Sequence, residues 1–360
     1  MNKQTKIAVF FGGKISQHLV LVKKAAKKLG VSLDLVSYNK VCFDTEKKEI
    51  LIRPNLSGES RINQFDDYKK VDDYDVLFFR TTGKHWEEVD LIINQIKNPS
   101  KSPFDLKGDL KKPIIVDPLV ESGKPSMACK AWQMLALKEA GIEVPKTVYG
   151  SLWYLYEFMN NQSDRQNIFV GAHALRHCTS DVALQKNISG STDYIWKFPV
   201  IIKGSGGDRG TRVFKTDNLE QLEKLVRDLR KSEIDEGRRY MLQEFIPNDG
   251  DFRVLVLGEK VLGVMKRSSQ NKDEFKNNYS AGGKVELAEL SEEIKQLAVK
   301  AAKVCGLAVA GVDVAFRNND LSQPIIWEVN KGPQFKGFME ATGIDVPMEM
   351  VKFLVSLKSP

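Results

Sequence analysis

The sequence predicts an α/β domain followed by an α+β domain, and three observations carry that reading. Over the first hundred residues, short apolar strand-like runs alternate with helical patterns, as in a doubly wound, mostly parallel sheet. Beyond about residue 198, strand signals cluster around tight turns, the pattern of antiparallel pairs. Near the C-terminus, Ala310-Gly-Val-Asp313-Val and Ile326-Trp-Glu328-Val-Asn330 read as two buried strands joined by the turn-forming stretch Arg317–Pro324.

The elements follow in order. Lys6–Phe11 reads as a strand, Ser16–Leu29 as an amphipathic helix ending at Gly30, and Val31–Ser37 as a second strand. Val76–Arg80 and Pro113–Val116 complete the strand set, with the polar stretch Asn98–Lys112 as a surface loop. A boundary near Pro118–Gly123 makes residues 1–122 one domain and 123–360 the next. A helix over Ala128–Ala140 stops at Gly141. Phe198–Lys203 and Thr211–Lys215 are strands joined by Gly204-Ser-Gly-Gly-Asp-Arg-Gly210, and a helix follows with Asp217 as N-cap and Glu220 completing a capping box. Tyr240–Ile246, Asp251–Leu257 and Lys260–Arg267 are three strands with tight turns, and Glu292–Cys305 is a long helix with acids in its first turn and Gly306 at its end.

Composition narrows the function classes. The 360 residues are 42% hydrophobic and 28% charged, ordinary for a globular protein. No apolar run approaches the ~18 residues that span a bilayer. The N-terminal strand-like run is too short for a signal peptide and lacks a small-residue cleavage site. Cys42, Cys129, Cys178 and Cys305 are scattered without metal-ligand spacing, which predicts reduced thiols and a cytoplasmic protein. The net charge of +7 comes mostly from lysines spread along the chain, with no arginine-rich run, so it predicts a channel for small anions rather than a nucleic-acid or ribosome-binding surface. Neither length nor composition excludes a homo-oligomer.

The chemistry-bearing residues lie in the second half. If the C-terminal hairpin is centred on its turn, Asp313 lies opposite Glu328, and Asn330 shares the face of Glu328. Three such oxygen-bearing side chains suit a hard cation that keeps phosphate oxygens among its ligands. The glycine-rich turn, with Gly206, Gly207 and Gly210, lets backbone N–H groups approach an anion. It is neither a Walker A loop nor a dinucleotide fingerprint, because no Gly-Lys-Ser/Thr closes it and a strand follows it. Lys203 stands one residue before it. Arg253 and Arg267 lie in otherwise apolar strands and suit either a salt bridge or charge neutralisation at a transferring phosphoryl group. His173 and His177, one helical turn apart, are a poor zinc site without further ligands.

The set Lys203, glycine hairpin, Gln243–Asp251, Asp313 and Glu328-Val-Asn330 resembles the ATP-grasp superfamily of carboxylate–amine ligases, over about residues 120–360. Within it the chain looks most like RimK-type glutamate ligases, on Ala140-Gly-Ile-Glu-Val-Pro-Lys-Thr147, Asp251-Phe-Arg253, Phe275-Lys-Asn-Asn278, Gly282-Gly283, Ala310-Gly-Val-Asp313 and Ala341-Thr-Gly-Ile-Asp345. The resemblance implies an ATP-grasp fold with a lid over about 147–240 and a core over about 241–360. It implies a ligase that forms an amide through an acyl phosphate and releases ADP, joining an acidic amino acid such as glutamate to a peptide, protein or small-molecule acceptor. ATP phosphates would be bound by Lys130 and Lys203 with the glycine turn, adenine by the hinge Gln243, Glu244, Phe245 and Ile246, and ribose by Asp251. Two Mg²⁺ ions, with Mn²⁺ as the alternative ion, would be held by Asp313, Glu328 and Asn330. Arg267, Arg253 and Lys276 would carry the catalytic charge, Lys276 standing where the family has arginine.

Two departures bear on the substrate. Asn330-Lys-Gly-Pro-Gln-Phe-Lys-Gly-Phe338 replaces the family's Asn-small-Ser-Pro-Gly. The segment Phe11–His18 resembles D-alanine–D-alanine ligases, but Gln17 stands where they carry glutamate and Gly311 where they carry arginine. A ligase of that type, or a nucleotide-binding module without catalysis, is the alternative.

Overall fold

The structure, a computed structural model, describes residues 4–44, 46, 49–54, 68–82, 85–97, 112–122, 129–168, 196–205, 212–237, 239–268 and 284–358. Contacts divide the chain into two compact units, one of Met1–Val144 with Asn248–Pro360 and the other of Pro145–Pro247.

The first unit opens with β1 (Lys6–Phe11), α1 (Gln17–Lys28) and β2 (Ser32–Ser37). Ser16 caps α1 by accepting from the Leu19 N–H, and Gly30 leaves it at φ +67°. Leu19, Val22, Ala25 and Ala26 form its buried face. A small antiparallel sheet follows, of β3 (Val41–Asp44), β4 (Glu49–Ile52) and β5 (Lys69–Lys70). Then come β6 (Val76–Phe79), α2 (Trp86–Lys97), β7 (Ile114–Ile115), α3 (Pro118–Glu121) and α4 (Lys130–Glu139). The main sheet has the order β2-β1-β6-β7, all parallel. Its strand order reverses between β1 and β6.

The second unit contains β8 (Thr147–Gly150), α5 (Leu152–Ile168), β9 (Val200–Gly204), β10 (Val213–Thr216), α6 (Leu219–Asp235) and β11 (Tyr240–Glu244). The antiparallel order is β10-β9-β11-β8, over a core of Leu152, Leu155, Met159, Ile202, Leu222, Val226, Tyr240 and Leu242. The cap of α6 differs from the expected one. Asn218, not Asp217, accepts from the Gln221 N–H at 2.9 Å, and the Gln221 side chain reaches back to the Asp217 N–H at 2.9 Å. The helix start is thus one residue later than expected, with the Gln221 amide satisfying the N–H before the cap instead of closing a capping box.

The first unit resumes with β12 (Asp251–Leu257), β13 (Lys260–Ser268), β14 (Lys284–Leu287), α7 (Glu292–Val304), β15 (Val309–Phe316), β16 (Pro324–Lys331), α8 (Lys336–Thr342) and α9 (Val346–Ser356). The antiparallel order is β14-β13-β12-β15-β16. Ala298, Ala301 and Ala302 of α7 pack with Val254, Val312 and Ile326 on one face. On the other, Leu255 and Val309 share a core with Phe335, Phe338, Met350, with Ile7, Val9 and Phe11 of the N-terminal sheet and with Leu19 of α1. Residues on either side of the expected 122/123 boundary are therefore packed into one unit, and the Leu119 N–H donates to Gly306 O at 2.8 Å. No helix among the described residues is long and apolar enough to cross a membrane.

Candidate active site

The register of the five-stranded sheet builds a row of charges on one face. Asp313 of β15 lies directly opposite Glu328 of β16 on one side and Arg253 of β12 on the other. Asp251, two residues before Arg253, lies opposite Arg267 of β13. Directly opposed residues project from the same face, as do residues two apart on a strand. A bulge between Asp313 and Val314 lets Trp327 slip out of register, which is what aligns Glu328 with Asp313.

Every residue of β15 is buried, so an ionised Asp313 there needs compensation. It has two arginines: Arg253 bonds it through Nε and, at 3.0 Å, through Nη2, and Arg267 Nη2 stands 3.1 Å away. Burial pushes the Asp313 carboxyl up, but Arg253 and Arg267 outweigh it and hold it below the usual carboxylate range. Asn330 Nδ2 donates to Asp313 at 3.1 Å. Gly311, facing Asn330, leaves the room this needs; a Cβ there would meet Pro333 at 2.8 Å and Arg253 at 3.0 Å.

Asp251 presents no carboxylate to ribose hydroxyls in this arrangement. It is 5% exposed, and its two oxygens accept from Arg267 Nε at 2.6 Å and Nη2 at 2.7 Å. Burial pushes its carboxyl above the usual range against the pull of Arg267. Arg267, penalised by burial, keeps its charge through Asp313 and Asp251.

Lys130, the first residue of α4, places Nζ 3.1 Å from Glu328 Oε1, joining an expected phosphate ligand to an expected metal ligand. Gln133, one turn on, donates to Val329 O at 3.1 Å and seats α4 on β16. Asp313, Glu328 and Asn330 carry the oxygens that Mg²⁺ prefers, yet here the Asp313 oxygens accept from Arg253, Arg267 and Asn330 and Glu328 pairs with Lys130. No cluster of three or more His, Cys, Asp or Glu side chains able to hold a metal occurs among the described residues.

In the second unit, Lys203 pairs across β9 with Val213 and Met241. Gln243 is buried and donates to Thr147 Oγ1 at 2.9 Å, Glu244 accepts from the Lys146 N–H at 2.9 Å, and Lys215 Nζ stands 4.8 Å from the Phe245 ring centroid. Ile246 is buried. Gly206, Gly207, Gly210, Lys276, His173 and His177 lie outside the described residues.

Sequence reasoning missed Arg80. It directly follows the apolar β6 and is 4% exposed, with Nη2 donating to Pro333 O at 2.8 Å. Burial lowers its pKa to about 10. The available signal was an arginine at the carboxyl end of a parallel strand, where α/β sheets bind ligands. Lys331 reaches inward as well: its ammonium is enclosed although the stem is half-buried, it stands 5.6 Å from the Trp86 ring centroid, and burial, opposed by Asp117, lowers its pKa to about 8.

Residues 165–354, more than half of the chain, match the RimK-like ATP-grasp domain. A probable alpha-L-glutamate ligase of Halorhodospira halophila is 33% identical over 199 residues, 54% of this chain and 61% of the relative. One of Marinomonas sp. is 35% identical over 173 residues, 48% and 52% of the two chains. The chain thus matches about half of these relatives' length. Among solved structures, the ATP-grasp ligase PsnB complexed with minimal precursor superposes with a TM-score of 0.61 at 15% identity, covering 98% of both chains. The RimK domain protein ATP-grasp from Sphaerobacter thermophilus gives 0.59 at 14%, covering 97% of this chain and 99% of that one. D-alanine–D-alanine ligase from Bacillus anthracis gives 0.53 at 12%, covering 98% and 96%. By its fold and its matched residues, the chain belongs to the RimK-like ATP-grasp family.

Proposed function

We propose that this protein is an ATP-dependent carboxylate–amine ligase that joins an acidic amino acid such as glutamate to an acceptor bearing a carboxylate. The observation that carries the reading is the row Glu328–Asp313–Arg253, with Asn330 and Arg267 beside it, on one face of the sheet. Glu328, Asp313 and Asn330 would hold Mg²⁺, which would supply charge neutralisation at the phosphate oxygens of ATP. Arg253 and Arg267 are already fixed by Asp313 and Asp251, so their charge meets a reacting phosphoryl group without reorganising. Lys130 and Lys203 bind phosphate oxygens, and the stretch Gln243–Ile246 takes the adenine. A substrate carboxylate attacks the γ-phosphorus and releases ADP; an amine then displaces phosphate and leaves an amide.

The glutamate preference is supported by the names of the curated relatives, and a peptide acceptor by the complex of PsnB with the precursor peptide PsnA2. A D-alanine–D-alanine ligase reading is disfavoured because Gly311 has no space for the side chain that those enzymes carry there. The test is phosphate release from ATP and Mg²⁺ across amino acids and short peptides. Glutamate should support faster release than alanine. Equal or better activity with alanine would overturn the glutamate preference, and no release with any acid would overturn the ligase reading.

A further inference from the structure

Arg80 is a buried guanidinium with part of its fork unspent. It lies at the carboxyl edge of the parallel sheet: its N–H donates to Phe10 O at 3.1 Å, and the Gly12 N–H donates to Thr81 Oγ1 at 3.0 Å. This is the gap between β1 and β6 where strand order reverses, the place at which open α/β sheets receive ligands. Nη2 is held by Pro333 O, and the guanidinium stands 5.2 Å from the Phe335 ring centroid, but Nη1 has no partner among the described residues. Through Phe335 it neighbours His18, and Lys336, itself 3.9 Å from Glu340, acts on the same histidine. His18 stacks edge-on against Phe335 at 4.5 Å, and its pKa is lowered by burial, then by Arg80 and Lys336.

Guanidinium keeps its proton at physiological pH, and a buried charge without a counter-ion is costly. A carboxylate matches the fork and relieves that cost. The residue is also tied to the strand that carries the metal ligands. Gly332, two residues after Asn330, packs so closely that a Cβ there would lie 2.4 Å from Arg80 O.

We propose that Arg80 binds, through Nη1, a non-reacting carboxylate of the acidic substrate, with Lys336 adding to the positive field there. The assignment rests on the ligase reading and names the part of the molecule that selects an acidic substrate.

Calorimetric titration of the full chain, with a non-hydrolysable ATP analogue and Mg²⁺ present, tests it with L-glutamate, L-glutamine and inorganic phosphate as probes. The wild-type chain should bind L-glutamate more tightly than L-glutamine by on the order of tenfold or more, and Arg80→Met should erase the difference. Arg80→Lys should retain part of it, since it keeps the charge and loses the fork. Nucleotide affinity should stay unchanged in both variants. If Arg80→Met does not fold, Lys336→Glu decides: this exposed residue should tolerate the change, and affinity for L-glutamate should fall about threefold or more. No binding of L-glutamate by the wild-type chain, equal binding by Arg80→Met, unchanged affinity in Lys336→Glu, or equal Arg80-dependent binding of phosphate would each overturn the proposal. ATP-dependent phosphate release without Arg80 dependence would sink this assignment alone. Arg80-dependent binding without turnover would sink the ligase reading alone.

Discussion

Glu328 and Asp313 face each other across two strands yet answer to different constraints. Glu328 is partly exposed and salt-bridged to Lys130, so its charge is not needed for packing. Glu328→Gln should therefore leave the fold intact and reduce kcat more than tenfold, a loss above ~1.4 kcal/mol. Phosphate release together with circular dichroism checks both halves of that expectation. Asp313 is buried between two arginines. Asp313→Asn would leave those cations with Asp251 as their carboxylate, and should destabilise the protein by about 3–5 kcal/mol in addition to stopping turnover. A urea titration separates this from the Glu328 case. His18 gives a third residue-level expectation, with a definite sign. Its folded-state pKa lies below the ordinary histidine value, because burial, Arg80 and Lys336 disfavour its charged form. The unfolded chain then binds more protons just below pH ~6.5, so stability rises with pH through that window and is lost as pH falls. Relative to wild type, His18→Gln should gain stability at pH 5 compared with pH 7.5, as read from urea midpoints; a constant gap would deny the shift.

At the scale of elements, the cap of α6 separates two residues that the sequence leaves nearly equivalent. Asp217 and Asn218 are both good N-cap types. The structure uses the Asn218 carbonyl oxygen on Gln221, whereas the Asp217 side chain lies 3.1 Å from Lys215 Nζ at the surface. Asn218→Ala should cost about 1 kcal/mol and Asp217→Ala a few tenths, measured by thermal unfolding. The β15–β16 hairpin shows local chemistry serving the site. Asn318 and Asn319 take φ of 51° and 60°, a region asparagine tolerates, and the Asn319 side chain is bonded twice to Asp249. That ties the far end of the hairpin to the loop preceding Asp251, so the strands that carry Asp313 and Asp251 are anchored to each other beyond their ladder.

For the whole molecule, the spent nucleotide is the decisive product. A ligase that proceeds through an acyl phosphate leaves ADP and phosphate, and chromatography of the reaction should show them in equal amounts. Stoichiometric AMP and pyrophosphate would refute the mechanism. Each compact unit also has its own core. The sheet β10-β9-β11-β8 packs with α5 and α6, and the larger unit packs its N-terminal parallel sheet with α8 and α9.

Local pattern determined the strands β1, β2, β6 and β9 to β13, the antiparallel hairpin and the pairing of Asp313 with Glu328, because strand alternation and turn composition act within about ten residues. It left β3 to β5, α2, β8, α5, β14, α8 and α9 unread. The family resemblance rested on a longer set, from Lys203 and the glycine hairpin through Gln243–Asp251 to Asp313, Glu328 and Asn330, read in their order along the chain. What needed the tertiary structure was the fate of each charge. Arg253 and Arg267 are bound to Asp313 and Asp251, and Lys130 is bound to Glu328 across nearly two hundred residues. Arg80 is buried against Pro333 and Phe335 over a still longer separation. Burial and partner choice are set by which surfaces the sheets bring together, and no periodicity in a linear sequence encodes a contact between residues 80 and 333.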